Sequence, residues 1–320
     1  MTLDTFKALA DPCRLRLVAI LLHGEFTVQE LTRILGMGQS RISRHLKILS
    51  EAGILGVKRQ GTWSYYRVGD DNRFFAAIRP VLEQELATLP DQGRDLAAVA
   101  AVLEERRQRS REFFDRHARQ WDDLARTLLP VPEYRRHLLT LVPEGGTLVE
   151  IGVGTGGLLA ELAVRADRVI GVDHSPAMLA EARQRLTDNG ITGIDLRLGE
   201  MTHLPLPDGS AGSVLLNMVL HHAADPPAVL AEIRRVLQPG GLLLIADLAR
   251  HEREAAREQL ADQWLGFDET ELTGWLRGAG FTMCGGERIE GTAGEESVVL
   301  VVGCTNHTKT TTKTSHRKGA

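Results

Sequence analysis

The sequence predicts a multidomain chain: an N-terminal α+β module, a helical connector and a C-terminal doubly wound α/β domain. Residues 4–68 read as helices followed by a pair of alternating strands. Residues 72–129 are almost wholly helical in pattern. Residues 147–248 alternate strands with helices, the pattern of a mainly parallel sheet covered by helices. At 320 residues the chain is long enough for two domains. Its 43% hydrophobic and 25% charged residues are those of a globular protein. No apolar run reaches the roughly 18 residues of a membrane span. The start, MTLDTFKALADP, lacks the basic and apolar parts of a signal peptide. Cys13, Cys284 and Cys304 lie far apart in sequence, so neither a disulfide framework nor a local metal-binding pair is expected. A reduced, cytoplasmic setting follows as the expectation.

Charge is divided unevenly. Residues 1–69 carry ten Lys/Arg against five Asp/Glu, or +5, and the remainder carries 28 against 37, or −9. Contact with nucleic acid is therefore expected from the first module alone.

In that module Phe6, Leu9, Leu15, Leu17, Val18, Leu21 and Leu22 recur at helical spacing, with Pro12 between two short helices. Thr27 and Glu30 form a capping-box pattern that opens a helix running to about Leu35. Gly36-Met37-Gly38 makes a tight turn. A second helix starts near Gln39 or Ser40 and stops at Ala52-Gly53. Two helices joined this way form a helix-turn-helix. Ile42, Leu46 and Leu49 face inward, which turns Gln39, Ser40, Arg41, Ser43, Arg44 and His45 outward, where such a helix reads base edges. Arg pairs with guanine and Gln with adenine through two hydrogen bonds each. Val57 to Val68 follows as a hairpin about a Gln60-Gly61 turn, with Lys58 and Arg59 near its tip, suited to phosphates. A helical hairpin for protein contact is the competing reading, and the joint presence of helix, turn, helix, hairpin and basic charge favours DNA.

This stretch resembles the ArsR/SmtB-type winged helix-turn-helix repressors over about residues 3–70, through ALADPCRLRLVAIL, QSRISRHLKILSEAGIL and the wing VKRQGTWSYYRV. The resemblance implies a homodimer on double-stranded DNA with a palindromic operator. Metal-sensing members carry paired cysteines around the first helix of the motif. Here that stretch reads GEFTVQEL, so no metal site is expected and the signal must enter elsewhere.

The connector begins with Phe74, Phe75, Ile78, Val81, Leu82 and Leu86 on one face and breaks at Pro90. A second helix carries Leu96, Val99, Val102 and Leu103 into a mixed run, Glu104 to Arg109, read as a solvated face. Phe113, Phe114, His117, Trp121, Leu124 and Leu128 mark an apolar face that docks on the next domain.

There the strand Thr147–Ile151 runs into Gly152-Val153-Gly154-Thr155-Gly156-Gly157, whose glycines allow a sharp turn with free N–H groups beside a ligand. The strand Arg168–Val172 ends in Asp173, about twenty residues on, where an acid accepts ribose hydroxyls. Gly152, Gly154 and Gly157 also fit the dinucleotide pattern, so a nicotinamide cofactor is weighed. Glu150 before the glycines, the Gly199-Glu200-Met201 turn and the run Arg235 to Gly241 ahead of strand Leu242–Asp247 decide against it. Together they resemble the class I S-adenosylmethionine-dependent methyltransferases, with a Rossmann-like domain, over about residues 110–304.

The resemblance implies that Glu150, Gly152, Gly154 and Gly156 face the amino-acid part of S-adenosylmethionine or S-adenosylhomocysteine. Asp173 holds the ribose, with His174 and Met178 beside it. Glu200 and Met201 flank the adenine, and Asn217 and Met218 line the floor. Met201 and Met218 equally suit core packing. His221, His222, Asp247 and His251 are candidate catalytic bases, and each equally fits a capping or packing role. Trp264-Leu265-Gly266-Phe267, with Leu272, Trp275, Leu276 and Phe281, reads as a helical cap. Strands near Thr282–Ile289 and Ser297–Cys304 close the sheet.

The expected domains are therefore 1–70, the winged helix-turn-helix; 71–130, helical connector and dimerisation; 131–304, the methyltransferase-type domain; and 305–320, a disordered tail. Two functions remain open. One is a DNA-binding transcriptional regulator, a repressor whose second domain takes S-adenosylmethionine or S-adenosylhomocysteine as effector. The fusion resembles the regulators of the methionine cycle that respond to S-adenosylhomocysteine. The other is a working methyltransferase for a small molecule, whose DNA-binding half controls its own gene.

Overall fold

The computed structural model describes residues 2–69 and 72–305. Of the tail expected from Thr305, residues 306–320 lie outside the described residues. Thr305 itself departs from that expectation: it is buried and its hydroxyl donates to Gln238 O at 2.6 Å.

The first module runs α1 (Thr2–Leu9), α2 (Pro12–Leu21), β1 (Phe26–Thr27), α3 (Val28–Leu35), α4 (Gln39–Glu51), β2 (Leu55–Gln60) and β3 (Trp63–Val68). Pro12 opens α2, where a missing N–H costs nothing, and the Asp11 carboxylate caps the helix by accepting from Cys13 and Arg14 N–H. The Thr27–Glu30 capping box forms in full, and Gly36 ends α3 in the left-handed region at φ 63°. The strands pair in the order β1-β3-β2. Leu17, Phe26, Leu31, Ile42, Leu46 and Leu49 fill one core with Phe75.

The connector begins with α5 (Arg73–Leu86), capped by Asn72. It continues as α6 (Gln92–His117), one unbroken helix of 26 residues and so about 39 Å long. The mixed-charge run and the aromatic pair Phe113-Phe114 thus share one rod. Near the start of α6, Asp95 accepts two hydrogen bonds from Arg16 of α2, each 2.7 Å. Beyond a short turn come α7 (Trp121–Leu128) and α8 (Arg135–Leu141).

The second domain is built on β4 (Thr147–Ile151), β5 (Arg168–Asp173), β6 (Asp195–Leu198), β7 (Ala211–Asn217), β8 (Leu237–Leu248), β9 (Thr282–Ile289) and β10 (Val298–Cys304). Helices α9 (Leu159–Ala163), α10 (Pro176–Asp188), α11 (Pro226–Val236), α12 (Ala255–Gln259) and α13 (Glu269–Gly278) connect them. The seven strands lie in the order β6-β5-β4-β7-β8-β10-β9, with β10 antiparallel to both neighbours. The order reverses between β4 and β7, so a crevice opens at the carboxyl ends of β4, β5 and β7, the position where such sheets bind ligands.

Two expectations change here. Pairing of β9 with β10 brings Cys284 and Cys304 together as a disulfide, with Cα atoms 6.1 Å apart. Their separation in sequence hid a hairpin neighbour. Residues 264–267 are a bent, buried loop between α12 and α13 rather than helix, while Leu272, Trp275 and Leu276 of the expected cap lie on α13.

Candidate functional site: a ligand cleft joined to a docked wing

The crevice is lined by β4, β5 and β7 and the loops that follow them. Gly152 has φ 69°, and a Cβ there would lie 2.1 Å from Val219 Cγ2, so only glycine fits. Gly154 also has positive φ, and its N–H donates to Asp173 Oδ2 at 2.8 Å. Asp173 Oδ1 accepts from Ser175 N–H at 2.9 Å, so the acid at the end of β5 braces the glycine loop. Burial raises its pKa, against the backbone donors. Glu150, on β4, is 2% exposed, and its Oε2 has no hydrogen-bond partner. Burial pushes its pKa up to about 8, partly opposed by Arg135. An orphaned carboxylate beside a glycine loop suits an ammonium-bearing ligand, which is the fit that S-adenosylmethionine or S-adenosylhomocysteine requires.

His174, Met178, Met201 and Met218 line the same cleft with Gly152, Gly154 and Asp173. Gly156 is not among these lining residues, and a Cβ on it would crowd Leu159 and Ala182 at 3.1 and 3.2 Å. Glu200 pairs with Arg111 of α6. Asn217 accepts from Tyr134 Oη at 2.9 Å, and Met218 sits in the left-handed region at φ 51°, a strained conformation for a side-chain-bearing residue. Phe114 and Trp121 cover the cleft, with ring centroids 4.9 Å apart, and Phe114 packs on Met178. They leave about 40 Å³, room for little more than water. A nucleoside-sized ligand enters only if they move.

Met218 also borders a second cavity of about 770 Å³, walled by Tyr134, Arg135, His221 and Asp262. His221 Nδ1 lies 2.7 Å from Asp247 Oδ1, and both are buried. Burial alone would lower the His221 pKa, but Asp247 and Asp262 outweigh it and raise it to about 9. Asp247 thus holds Nδ1 and sets the orientation of the ring. His222 borders the cleft, packs on Phe114, and is held neutral by burial. His251 borders neither cavity. Its Nδ1 accepts from Arg253 N–H at 3.2 Å, and burial lowers its pKa to about 4. Asp262 escaped the sequence reading because no motif marks it. It comes to His221 only through the loop after α12.

On the first module, Gln39, Ser40, Arg41, Ser43 and Arg44 are exposed along the N-terminal half of α4. His45 is a correction: it points inward, 9% exposed, with Nδ1 3.9 Å from Asp11 Oδ1. Burial lowers its pKa. Lys58 is a second correction. It is 8% exposed, because the wing does not stand free but packs on the second domain. Its ammonium meets Glu271 of α13 at 2.7 Å and lies over the rings of Trp264, Phe267 and Trp275. Gln60 donates to Gly266 O and accepts from Leu265 N–H, both at 2.9 Å. The Tyr65 ring lies 4.8 Å from Trp264. Arg59 keeps an exposed side chain, while its carbonyl accepts from Arg250.

Arg106, midway along α6, is a further junction that the sequence did not single out. Its guanidinium donates to the Glu30 carboxylate, to Glu25 O and, across to the second domain, to Ala224 O.

Comparison with known proteins finds a different family in each half of the chain. The bacterial regulatory protein family described as arsR matches residues 11–56, and the methyltransferase domain family matches residues 149–245. An uncharacterized 37.1 kDa protein in transposon TN4556 of Streptomyces fradiae is 42% identical over 106 residues, 32% of this chain and 30% of that protein. An arsenite methyltransferase of Halobacterium salinarum is 35% identical over 138 residues, 42% of this chain and 34% of that protein. The chain thus spans about a third of the length of each of these two relatives. A chain from the Haloferax volcanii complex of a methyltransferase with its Trm112 activator has the same fold, with TM-score 0.52 and 24% identity over 61% of this chain and 98% of that one.

Proposed function

Because the chain joins an ArsR-family DNA-binding domain to a methyltransferase domain, we propose that it is a transcriptional repressor whose second domain takes S-adenosylmethionine or S-adenosylhomocysteine as effector. The observation that carries this is the docked wing. Gln60 and Tyr65 rest on residues 264–266, and the N–H groups of Gln263 and Trp264 donate to His221 O at 3.1 and 3.0 Å. The loop that holds the wing through residues 264–266 thus borders the second cavity through Asp262 and bonds the backbone of His221. A ligand that shifts the loop shifts the wing.

Helix α6 offers a parallel route. It is fixed to the first module through Asp95 and Arg106 and carries Phe114 near its end, over the cleft. Displacing Phe114 to admit a ligand pushes on a rigid rod whose other end sets the pose of α3 and α4. In this reading the functional divisions are residues 1–70 for DNA, 71–130 for coupling and dimerisation, and 131–304 for the ligand. The operator is a palindrome read by a homodimer. Exposed Leu3 and Phe6 on α1 and Val81 on α5 supply an apolar face for that dimer.

Within the cleft, Glu150 receives the ligand ammonium, the glycine loop its backbone, and Asp173 the ribose. His174 and Met178 lie beside the ribose, with Glu200 and Met201 at the adenine. When bound, S-adenosylmethionine would supply a methyl group. The cavity beyond Met218 favours a second role as a methyltransferase, since it gives an acceptor a place beside the cleft. There His221, oriented by Asp247, would face the acceptor, with His222 on the side of the cleft and His251 outside both cavities.

The test is operator affinity measured on DNA from the protein's own promoter, with no ligand, with S-adenosylmethionine and with S-adenosylhomocysteine. S-adenosylhomocysteine is expected to weaken binding at least about five-fold, and by linkage the operator weakens its binding equally. Equal affinity in all three conditions sinks the effector reading and leaves the enzyme.

A further inference from the structure

The two cavities meet at a cluster of buried polar side chains whose geometry goes beyond this reading. His221 and His222 stand on the turn after β7, Asp247 at the end of β8, and Asp262 on the loop after α12. His221 Nε2 and His222 Nδ1 both face Asp262 Oδ1, at 3.7 and 3.6 Å. The Asp262 side chain has no solvent exposure, and neither of its oxygens has a hydrogen-bond partner. A fully buried carboxylate that accepts no hydrogen bond and faces only the two histidine rings is costly, and a cation held between the three groups would take the place of a ring proton and pair it directly.

The spacing fits a metal ion. Two ligand atoms, each about 2.0–2.1 Å from a tetrahedral ion, are separated by about 3.4 Å, close to the distances here. The outer contacts fit as well. His221 Nδ1 is bonded to Asp247, which leaves Nε2 free to ligate. Metal-bound histidines are held in this way by a carboxylate behind them. Asp247 is itself braced by Leu220 N–H at 2.8 Å. To ligate, His222 Nδ1 would give up only a 3.3 Å contact with Ala261 O. Ala261, next to Asp262, sits in the left-handed region at φ 59°, so the backbone is held in a strained form at this point. With two buried carboxylates and two imidazoles, a divalent cation is balanced in charge.

We propose that His221, His222 and Asp262 bind a divalent first-row transition ion such as zinc, with Asp247 orienting His221. Two nitrogens and one oxygen leave a tetrahedral ion one open position. That position faces the cavity bordered by Met218 and Tyr134, where the oxygen or sulfur of an acceptor would bind.

A rival lies on the first module. Asp11, Cys13 and His45 also converge. Arg14 and Arg41 flank that group, with Arg41 Nη2 3.3 Å from Cys13 Sγ, and repel a cation. The two sites differ in ligand type, so cobalt(II) distinguishes them. The full-length protein, stripped by a chelator, is titrated with cobalt(II) and then zinc(II) and followed by absorbance. The expected result is one equivalent of cobalt bound in a tetrahedral nitrogen–oxygen spectrum without a sulfur charge-transfer band, then displaced by zinc. Asp262→Asn should weaken zinc binding by about 100-fold or more, while Cys13→Ser leaves it unchanged. Absence of stoichiometric uptake by the unaltered protein overturns the proposal. So does a sulfur-to-cobalt band that disappears in Cys13→Ser. Metal uptake is read without operator or effector, so its failure is separate from failure of the regulatory reading.

Discussion

The recognition helix and the wing belong to one DNA-binding module, yet the structure treats them oppositely. The N-terminal half of α4 presents Gln39, Ser40, Arg41, Ser43 and Arg44 to solvent. The wing is bound. Lys58, Gln60 and Tyr65 are 8%, 1% and 2% exposed, all against the second domain. A basic residue on a wing is ordinarily assigned to phosphate. Here the ammonium of Lys58 is already paired with Glu271 and lies over three aromatic rings, and it cannot serve a phosphate while it stays there. The wing, one of the two elements expected to meet DNA, is thus held in contact between domains, so docking and full engagement of DNA compete.

The largest effect expected is from Lys58→Ala. A phosphate-reading lysine on a free wing can be truncated with little change in stability, within about 0.5 kcal/mol. Removing one member of a buried ion pair leaves the other unpaired and costs about 3–5 kcal/mol. Denaturant unfolding should therefore show a clear loss for Lys58→Ala. A midpoint like that of the unaltered protein would mean that the wing is free in solution.

The same interface should carry a pH dependence. Burial pushes Glu25 up to about 7, opposed by Lys58, with Glu271 raising it and Arg67 and Arg106 lowering it. A carboxyl with a raised pKa binds its proton more tightly in the folded chain. Its contribution is present below the ordinary value of 4.5 and is lost as pH rises through about 7, amounting to at most about 3 kcal/mol. The difference in stability between the unaltered protein and Glu25→Gln should shift in favour of Glu25→Gln between pH 5 and 8. Parallel stability–pH curves would remove Glu25 from the coupling.

How far the sequence could be read follows from the range of each interaction. Caps and turns are local. The Thr27–Glu30 box and the stops at Gly36 and Gly53 were legible because their partners lie within a few residues, and the strand limits Thr147–Ile151 and Thr282–Ile289 were legible from their own apolar pattern and the glycines beside them. The glycine loop and Asp173 were legible as a motif, and the geometry then added the bond between them. What was not legible depends on distant partners. Lys58 reads as a surface residue until Glu271 appears 213 positions later. His45 follows outward-facing residues in sequence but turns toward Asp11. Cys284 and Cys304 meet only through the β9–β10 hairpin. Asp262 has no signal beyond its own letter.

A smaller effect is expected at the recognition helix. Arg41 is exposed and near the N-terminus of α4, where a side chain reaches base edges. Arg41→Ala should weaken specific operator binding by about 1–3 kcal/mol and relax base preference at one position. Stability should hardly change, which is the reverse of Lys58→Ala. Comparing the two variants by gel shift and by unfolding separates residues that read DNA from residues that dock the domains.

The smallest effect sharpens the comparison most. Arg59 is the one predicted wing contact whose side chain remains exposed, although its carbonyl is held by Arg250 of the second domain. If the wing swings to the phosphate backbone when operator binds, Arg59 neutralises one phosphate. Arg59→Ala should then lower the slope of log affinity against log salt by about one unit, equally for operator and unrelated DNA. If the wing remains docked, α4 alone meets DNA and Arg59→Ala leaves that slope unchanged. Arg41→Ala still weakens operator binding in either case, so it serves as the internal control. An unchanged slope beside a weakened Arg41→Ala variant would mean that the wing belongs to the second domain even on DNA. An effector acting through residues 264–267 would then have to reach α4 by way of α6.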